Sequence, residues 1–305
     1  MSLFRKYKKT EEIIPEFLLE KEMGIQRRSF YSYSRVMAVF EGWLRYNQLD
    51  KLPIKNITSD HISNFFIYLG TTKKLDKPTC EKYFLNLRQL FQYAEKRGEI
   101  NFVPFDRVSF PKKKKDQGAE AIQEDDLKIL VPYIKERDPQ LYLAFMIEYY
   151  CFIRPGRELR LLKVGDINLK DGLITIRQEN AKNKLKQVVT MPQQLIDICY
   201  EFGLDEADKK LFVFGKHRMF NSRPWSVNML AYRFNKCRDA LSLSKGYKFY
   251  SWKHTGASRL HMSGISMREL MDQLRHTKLD ATQHYLKQHC GIVNNRIRDH
   301  FPSPI

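Results

Sequence analysis

Cys151-Phe152-Ile153-Arg154-Pro155-Gly156-Arg157-Glu158-Leu159-Arg160-Leu161-Leu162 closes one pattern and opens another. Upstream, Leu127, Leu130, Val131 and Ile134 fall at helical spacing, so helices are expected over 124–136 and 139–153. Arg154 follows the second, where the helix dipole favours a cation. Downstream, Gly165-Asp166-Ile167 leads to Leu173-Ile174-Thr175-Ile176, a polar turn, and Val188-Val189-Thr190-Met191. That predicts a hairpin with lysines at its tip. Further helices are expected around 193–202, 225–240, 252–262, 266–275 and 279–287. This half reads as mostly helical with a small antiparallel sheet.

The residues before 109 have no β alternation. Tyr33, Val36, Met37, Phe40 and Trp43/Leu44 mark one amphipathic helix. Ser59 is read as the cap of a second, with Ile62, Phe65, Phe66 and Leu69 as its stripe and Gly70 as its stop. A third follows Pro78-Thr79, with Phe84, Leu87, Phe91 and Ala94 inward and Gly98 ending it. Phe110-Pro111-Lys112-Lys113-Lys114-Lys115-Asp116-Gln117-Gly118 then breaks every periodicity. The expected organisation is a helical domain over 1–108, a basic linker over 109–119, and a mixed domain over 120–305.

Charge narrows the function. The 305 residues carry 53 Lys plus Arg against 35 Asp plus Glu, a net of +18. Residues 1–115 hold 23 basic and 13 acidic side chains and the remainder 30 and 22, so both parts are basic. That suits a protein gripping a polyanion from two sides, with Lys112, Lys113, Lys114 and Lys115 tracking a nucleic-acid backbone. No run of about 18 uncharged apolar residues exists, and Met1-Ser2-Leu3-Phe4-Arg5-Lys6 leads into charge, as a secretory signal does not. A cytoplasmic protein without membrane partners is expected. Cys80, Cys151, Cys199, Cys237 and Cys290 are odd in number and widely spaced, and read as buried small residues. There is no Gly-rich phosphate loop, Walker lysine, HExxH or GxSxG, and the histidines show no zinc spacing. No metal and no cofactor are expected.

What remains is a set of cations and tyrosines in punctuated places. The box opening on Arg154, with its Glu158-Leu159 and Asp166-Ile167, resembles the first catalytic box of tyrosine recombinases, the phage-type integrases. Asn180-Ala181-Lys182-Asn183-Lys184 resembles that family's hairpin lysine element. Tyr250-Ser251-Trp252-Lys253-His254-Thr255-Gly256 falls where its second box belongs. Leu274-Arg275-His276-Thr277, then Ala281-Thr282-Gln283-His284-Tyr285, matches the last box, with a His nine residues before a Tyr. Five elements in order, after a segment similar to the family's helical core-binding domain, carry the resemblance across nearly the whole chain.

The resemblance implies a mainly α fold with a small antiparallel sheet, a helical core-binding domain, and a catalytic domain. It implies DNA cleavage by Tyr285, with Arg154, His276 and Tyr250/Lys253 at the phosphate and Lys182 as the acid for the departing oxygen. In-line attack on a phosphodiester creates negative charge that preorganised cations must meet, which explains these residue types. Implied partners are double-stranded DNA, a second copy on each site, four copies in synapsis, and accessory DNA-bending proteins. A tail over Gly291–Ile305 is read as packing on a neighbour or on its own domain.

Two departures stand out. The second box usually carries His-x-x-Arg; here it is Tyr250 and Lys253, and a lysine lacks the bidentate fork. Arg275 stands where relatives often have Gly, and its guanidinium is expected to compensate. In the first box, Glu158 follows Arg154 by four residues instead of the commoner three, as if one were inserted, which leaves Arg154 and Arg157 as rivals. The alternative function is a catalytically weakened DNA-binding relative serving as an architectural factor. A type IB topoisomerase-like enzyme shares the chemistry, and a basic RNA-binding protein explains the charge but not the ordered boxes.

Overall fold

The structure, a computed structural model, describes residues 7–112, 118–280, 282, 283 and 286. It separates into two compact units, dividing between Asp116 and Gln117. Among the described residues no helix is long and apolar enough to cross a membrane.

The first unit is four helices: α1 (Thr10–Gly24), α2 (Arg27–Tyr46), α3 (Ser59–Thr71) and α4 (Lys77–Lys96). The apolar stripes of α2, α3 and α4 meet in an aromatic core, where Phe40 lies edge-on to Phe65 with centroids 5.0 Å apart. α1 has no counterpart among the helices expected above. Pro15 interrupts its pattern, yet Ile13, Ile14 and Phe17 are buried against that core. Two boundaries differ from expectation. Thr58, not Ser59, caps α3, its hydroxyl accepting from the His61 N–H. Gly70 lies inside α3, its Cα facing the Pro111 ring. A glycine stops a helix when its backbone turns left-handed; Gly98, at φ 69°, does so after α4.

The second unit is built around α6 (Pro139–Cys151), which packs against α5 (Glu124–Arg137). A three-stranded antiparallel sheet, β1 (Ile167–Asn168), β2 (Leu173–Ile176) and β3 (Gln187–Thr190), is ordered as in the chain, with Leu173 opposite Thr190. β1 is two residues long, too short to show alternation in sequence. α7 (Gln193–Glu201), α8 (Met229–Ala240), α9 (Ser251–Met262) and α10 (Met267–Leu274) follow. α8 begins later than the expected 225, because the Trp225 N–H donates to the Phe214 carbonyl and keeps that stretch extended. Leu279, Asp280, Thr282, Gln283 and Leu286 are helical. Cys80, Cys151, Cys199 and Cys237 are buried free thiols; Cys290 lies outside the described residues.

α6 and α9 make the closest pairing. Phe145 stacks on Trp252 at 3.9 Å and 11°. Gly256 lets the backbones touch: a Cβ there would sit 2.0 Å from the Tyr149 carbonyl oxygen. Thr255 ties α9 to the start of the unit, its hydroxyl accepting from the Ile122 N–H at 2.8 Å.

Candidate active site

The site begins where α6 ends. Phe152 takes a left-handed conformation (φ 54°), turning the chain out of the helix, and its carbonyl faces into the unit. Pro155–Leu159 then forms a single π turn, with the Leu159 N–H donating to the Arg154 carbonyl at 3.0 Å. A π turn holds one residue more than an α turn and is frequent at functional sites. The extra residue of the first box is taken up there. It brings the Glu158 carboxylate back onto Arg154, whose N–H donates to Oε2 (3.1 Å) and whose Nη1 donates to Oε1 (2.9 Å). Arg157 faces solvent.

Glu158 holds a second guanidinium. Arg275, at the C-terminus of α10, lies 2.9 Å from Oε2 through Nη2, which also donates to the Phe152 carbonyl at 3.0 Å. Both side chains of this pair are 2% exposed. Burial pushes the Glu158 carboxyl up, but Arg275 and Arg154 together outweigh it and leave it below the usual carboxylate range.

α9 contributes Lys253, 1% exposed, whose Nζ donates to the same Phe152 carbonyl at 3.0 Å. Burial, then Arg154 and Arg275, push this ammonium down to about 7. Glu148, fully buried one turn before the end of α6, has no hydrogen-bond partner on either carboxyl oxygen among the described residues. Burial raises it well above the carboxylate range, and Lys253 opposes that shift. Tyr250, half-buried at the start of α9, lies edge-on to His254 at 5.0 Å. Burial and Glu148 push its phenol up.

His276 follows Arg275 directly. Its Nδ1 is 2.9 Å from the Thr282 hydroxyl. Burial, then Lys253, Arg154 and Arg275, push the imidazole down to about 4, so it is neutral at neutral pH. α10 is held in place by Gln273, which accepts from the Thr190 N–H at 3.2 Å and donates to the Thr190 carbonyl at 2.7 Å along the free edge of β3.

Four side chains from three distant segments thus converge: Arg154, Lys253, Arg275 and His276. Tyr250 borders them. Lys182 is exposed in the loop between β2 and β3 and makes no ion pair with the cluster. Lys112 is exposed, while Lys113, Lys114, Lys115 and Tyr285 lie outside the described residues. Sequence reading missed Glu148, Thr282 and the Phe152 carbonyl. Glu148 left a signal, a lone acid in the apolar run of α6; a backbone carbonyl leaves none. Among the described residues no three His, Cys, Asp or Glu side chains gather as metal ligands.

Known proteins resemble this chain in sequence and fold. The phage integrase family matches residues 120–290, and the phage integrase SAM-like domain matches residues 4–115. A tyrosine recombinase of Thermosipho africanus (strain TCF52B) is 24% identical over 243 residues, 76% of this chain and 81% of its own. Tyrosine recombinase XerD of Rickettsia prowazekii (strain Madrid E) is 23% identical, with 95% of this chain and 96% of its own covered. Among solved structures, the Tn1549 transposon integrase in complex with a circular intermediate DNA superposes with a TM-score of 0.75 at 14% identity, covering 96% of this chain and 98% of that one. A lambda integrase dimer bound to a COC′ core site gives 0.73 at 17%, covering 98% and 80%. The structural likenesses establish the fold; the family match spans more than half of the chain, which therefore belongs to the phage integrase family, the tyrosine recombinases.

Proposed function

We propose that this recombinase cuts and rejoins duplex DNA at specific sites through a 3′-phosphotyrosyl link on Tyr285, as the integrase of a mobile element. The observation that supports this is the convergence of Arg154 and Arg275 on the Glu158 carboxylate, with Lys253 on the neighbouring Phe152 carbonyl and His276 beside them. Two guanidiniums on one ionised acid leave positive charge that suits an anion.

In this reading, the Tyr285 hydroxyl gives its proton to solvent as its oxygen attacks the scissile phosphorus in line, and the P–O bond to the 5′ oxygen breaks. Lys182, on its exposed loop, gives that oxygen a proton. Arg154, oriented by Glu158, holds a non-bridging oxygen through its planar fork. His276, whose Nδ1 lies beside the Thr282 hydroxyl, donates from Nε2 to the same phosphate in the tautomer that carries its proton there. The energy of the broken bond is kept in the phosphotyrosine, so rejoining needs no ATP. Side chains supply the neutralising charge. Lys112 and its neighbours follow the backbone, the first unit and the second bind DNA from two sides, and two copies act on each site and four in synapsis.

Nicked suicide duplexes tiled from the DNA flanking the gene test this. A denaturation-resistant protein–DNA adduct is expected with the wild type and not with Tyr285→Phe. Site-specific binding without adduct in either protein would replace this reading by the architectural one.

A further inference from the structure

Arg275 occupies a position that its chemistry makes costly. It closes α10 in the left-handed region (φ 59°, ψ 42°), where a residue with a Cβ is disfavoured relative to glycine. Its guanidinium is buried, and while Nη2 meets Glu158 and the Phe152 carbonyl, Nε and Nη1 have no hydrogen-bond partner among the described residues. An unpaired buried donor is costly, the more so on a charged group. A side chain whose task was only to neutralise Glu158 would not need to bury two idle donors. Those two donors are hydrogen-bonding capacity that neither Glu158 nor the Phe152 carbonyl takes up.

The neighbours define that ligand. Arg154 and Arg275 share one carboxylate, so after mutual neutralisation one guanidinium charge remains. His276 is the next residue, and Lys253 shares the Phe152 carbonyl with Arg275. The remaining charge, the idle N–H groups and the nearby imidazole suit a phosphate diester.

We propose that Arg275 is the second guanidinium of the scissile-phosphate site, supplying from the end of α10 the donor that α9 lacks at Lys253. The inference rests on the phosphoryl-transfer reading above and assigns a residue to it. Lys253 is a poor substitute on its own: its ammonium is pushed down to about 7, whereas a guanidinium stays charged across the working range. Its single nitrogen also cannot present two N–H groups in a plane.

The test compares Arg275→Gly with the wild type on two suicide duplexes, one with the natural diester and one with a methylphosphonate at the cleaved linkage. Glycine relieves the left-handed backbone, and circular dichroism checks the fold; Arg275→Lys, which keeps a charge for Glu158, serves if the glycine variant does not fold. On the diester, adduct formation by Arg275→Gly should fall about 10²–10³-fold, the usual loss for one such donor. On the methylphosphonate, which has no charge on that oxygen, the deficit should shrink to within about threefold. The lysine variant should show a smaller diester deficit, likewise erased by the methylphosphonate. Equal deficits on both linkages would make Arg275 a positioning residue for Glu158 and Arg154 and overturn the proposal, as would a diester deficit under about threefold. A failure of the phosphotyrosyl reading looks different: the wild type gives no adduct on either duplex. Binding then decides, since the methylphosphonate should weaken the wild type more than Arg275→Gly, and equal weakening would overturn the assignment.

Discussion

At the scale of single residues, the site is governed by the cost of burying charge. Lys253 faces Arg154 and Arg275, which lower its affinity for a proton, and Glu148 and Glu158, which raise it; burial is the largest influence and lowers it. Its folded value of about 7 lies below its ordinary 10.5, so its contribution to stability is present above the ordinary value and lost as pH falls through about 7. His276 has the same sign, its contribution being lost as pH falls from 6.5 through about 4. If the ammonium form of Lys253 assists cleavage, adduct formation at subsaturating DNA should decline as pH rises through about 7, since that regime reports the free protein. Lys253→Arg should flatten this limb; an unchanged profile would show that Lys253 is not the titrating group.

At the scale of elements, α6 and α9 act as one piece. Gly256 allows the contact, and the Phe152 carbonyl at the end of α6 receives Lys253 from α9 and Arg275 from α10. Gly256→Ala would drive a methyl into the Tyr149 carbonyl, so α9 must shift. A cost of about 1–3 kcal/mol in denaturant unfolding is expected, with slower adduct formation because Lys253 moves with the helix. Unchanged stability would mean that the helices separate freely. Most elements were legible because their stripes follow the helical period. α1 was not, since Pro15 breaks its pattern and only packing against α2 and α4 decides it. The start of α8 was misjudged because a long-range backbone bond holds Trp225 extended.

At the scale of the whole molecule, the +18 charge is spread over both parts of the chain. If 6–10 phosphates are contacted, affinity for duplex DNA should fall about 10³–10⁵-fold between 50 and 200 mM salt. A filter-binding or anisotropy titration reads the slope, and a weak salt dependence would count against a two-sided grip. The basic stretch Lys112–Lys115 is proposed as the junction between the domains, so brief trypsin treatment should cut there first and leave two resistant fragments. Cuts distributed through either unit would reject that division.

Local patterning determined much on its own: the helical first part, the hairpin of β2 and β3, the break at the lysines, and the ordered boxes with His276 nine residues before Tyr285. These are readable because periodicity, turn chemistry and motif spacing act over short stretches of chain. Sequence also flagged the extra residue of the first box but left Arg154 and Arg157 as rivals. The tertiary structure winds that residue into a π turn that sends Arg154 to Glu158 and Arg157 to solvent. It alone brought Arg275 onto the same carboxylate and left Glu148 buried with no hydrogen-bond partner among the described residues. Such facts depend on which groups lose water together when distant segments pack. That is a property of the assembled interior, and no window of sequence contains it.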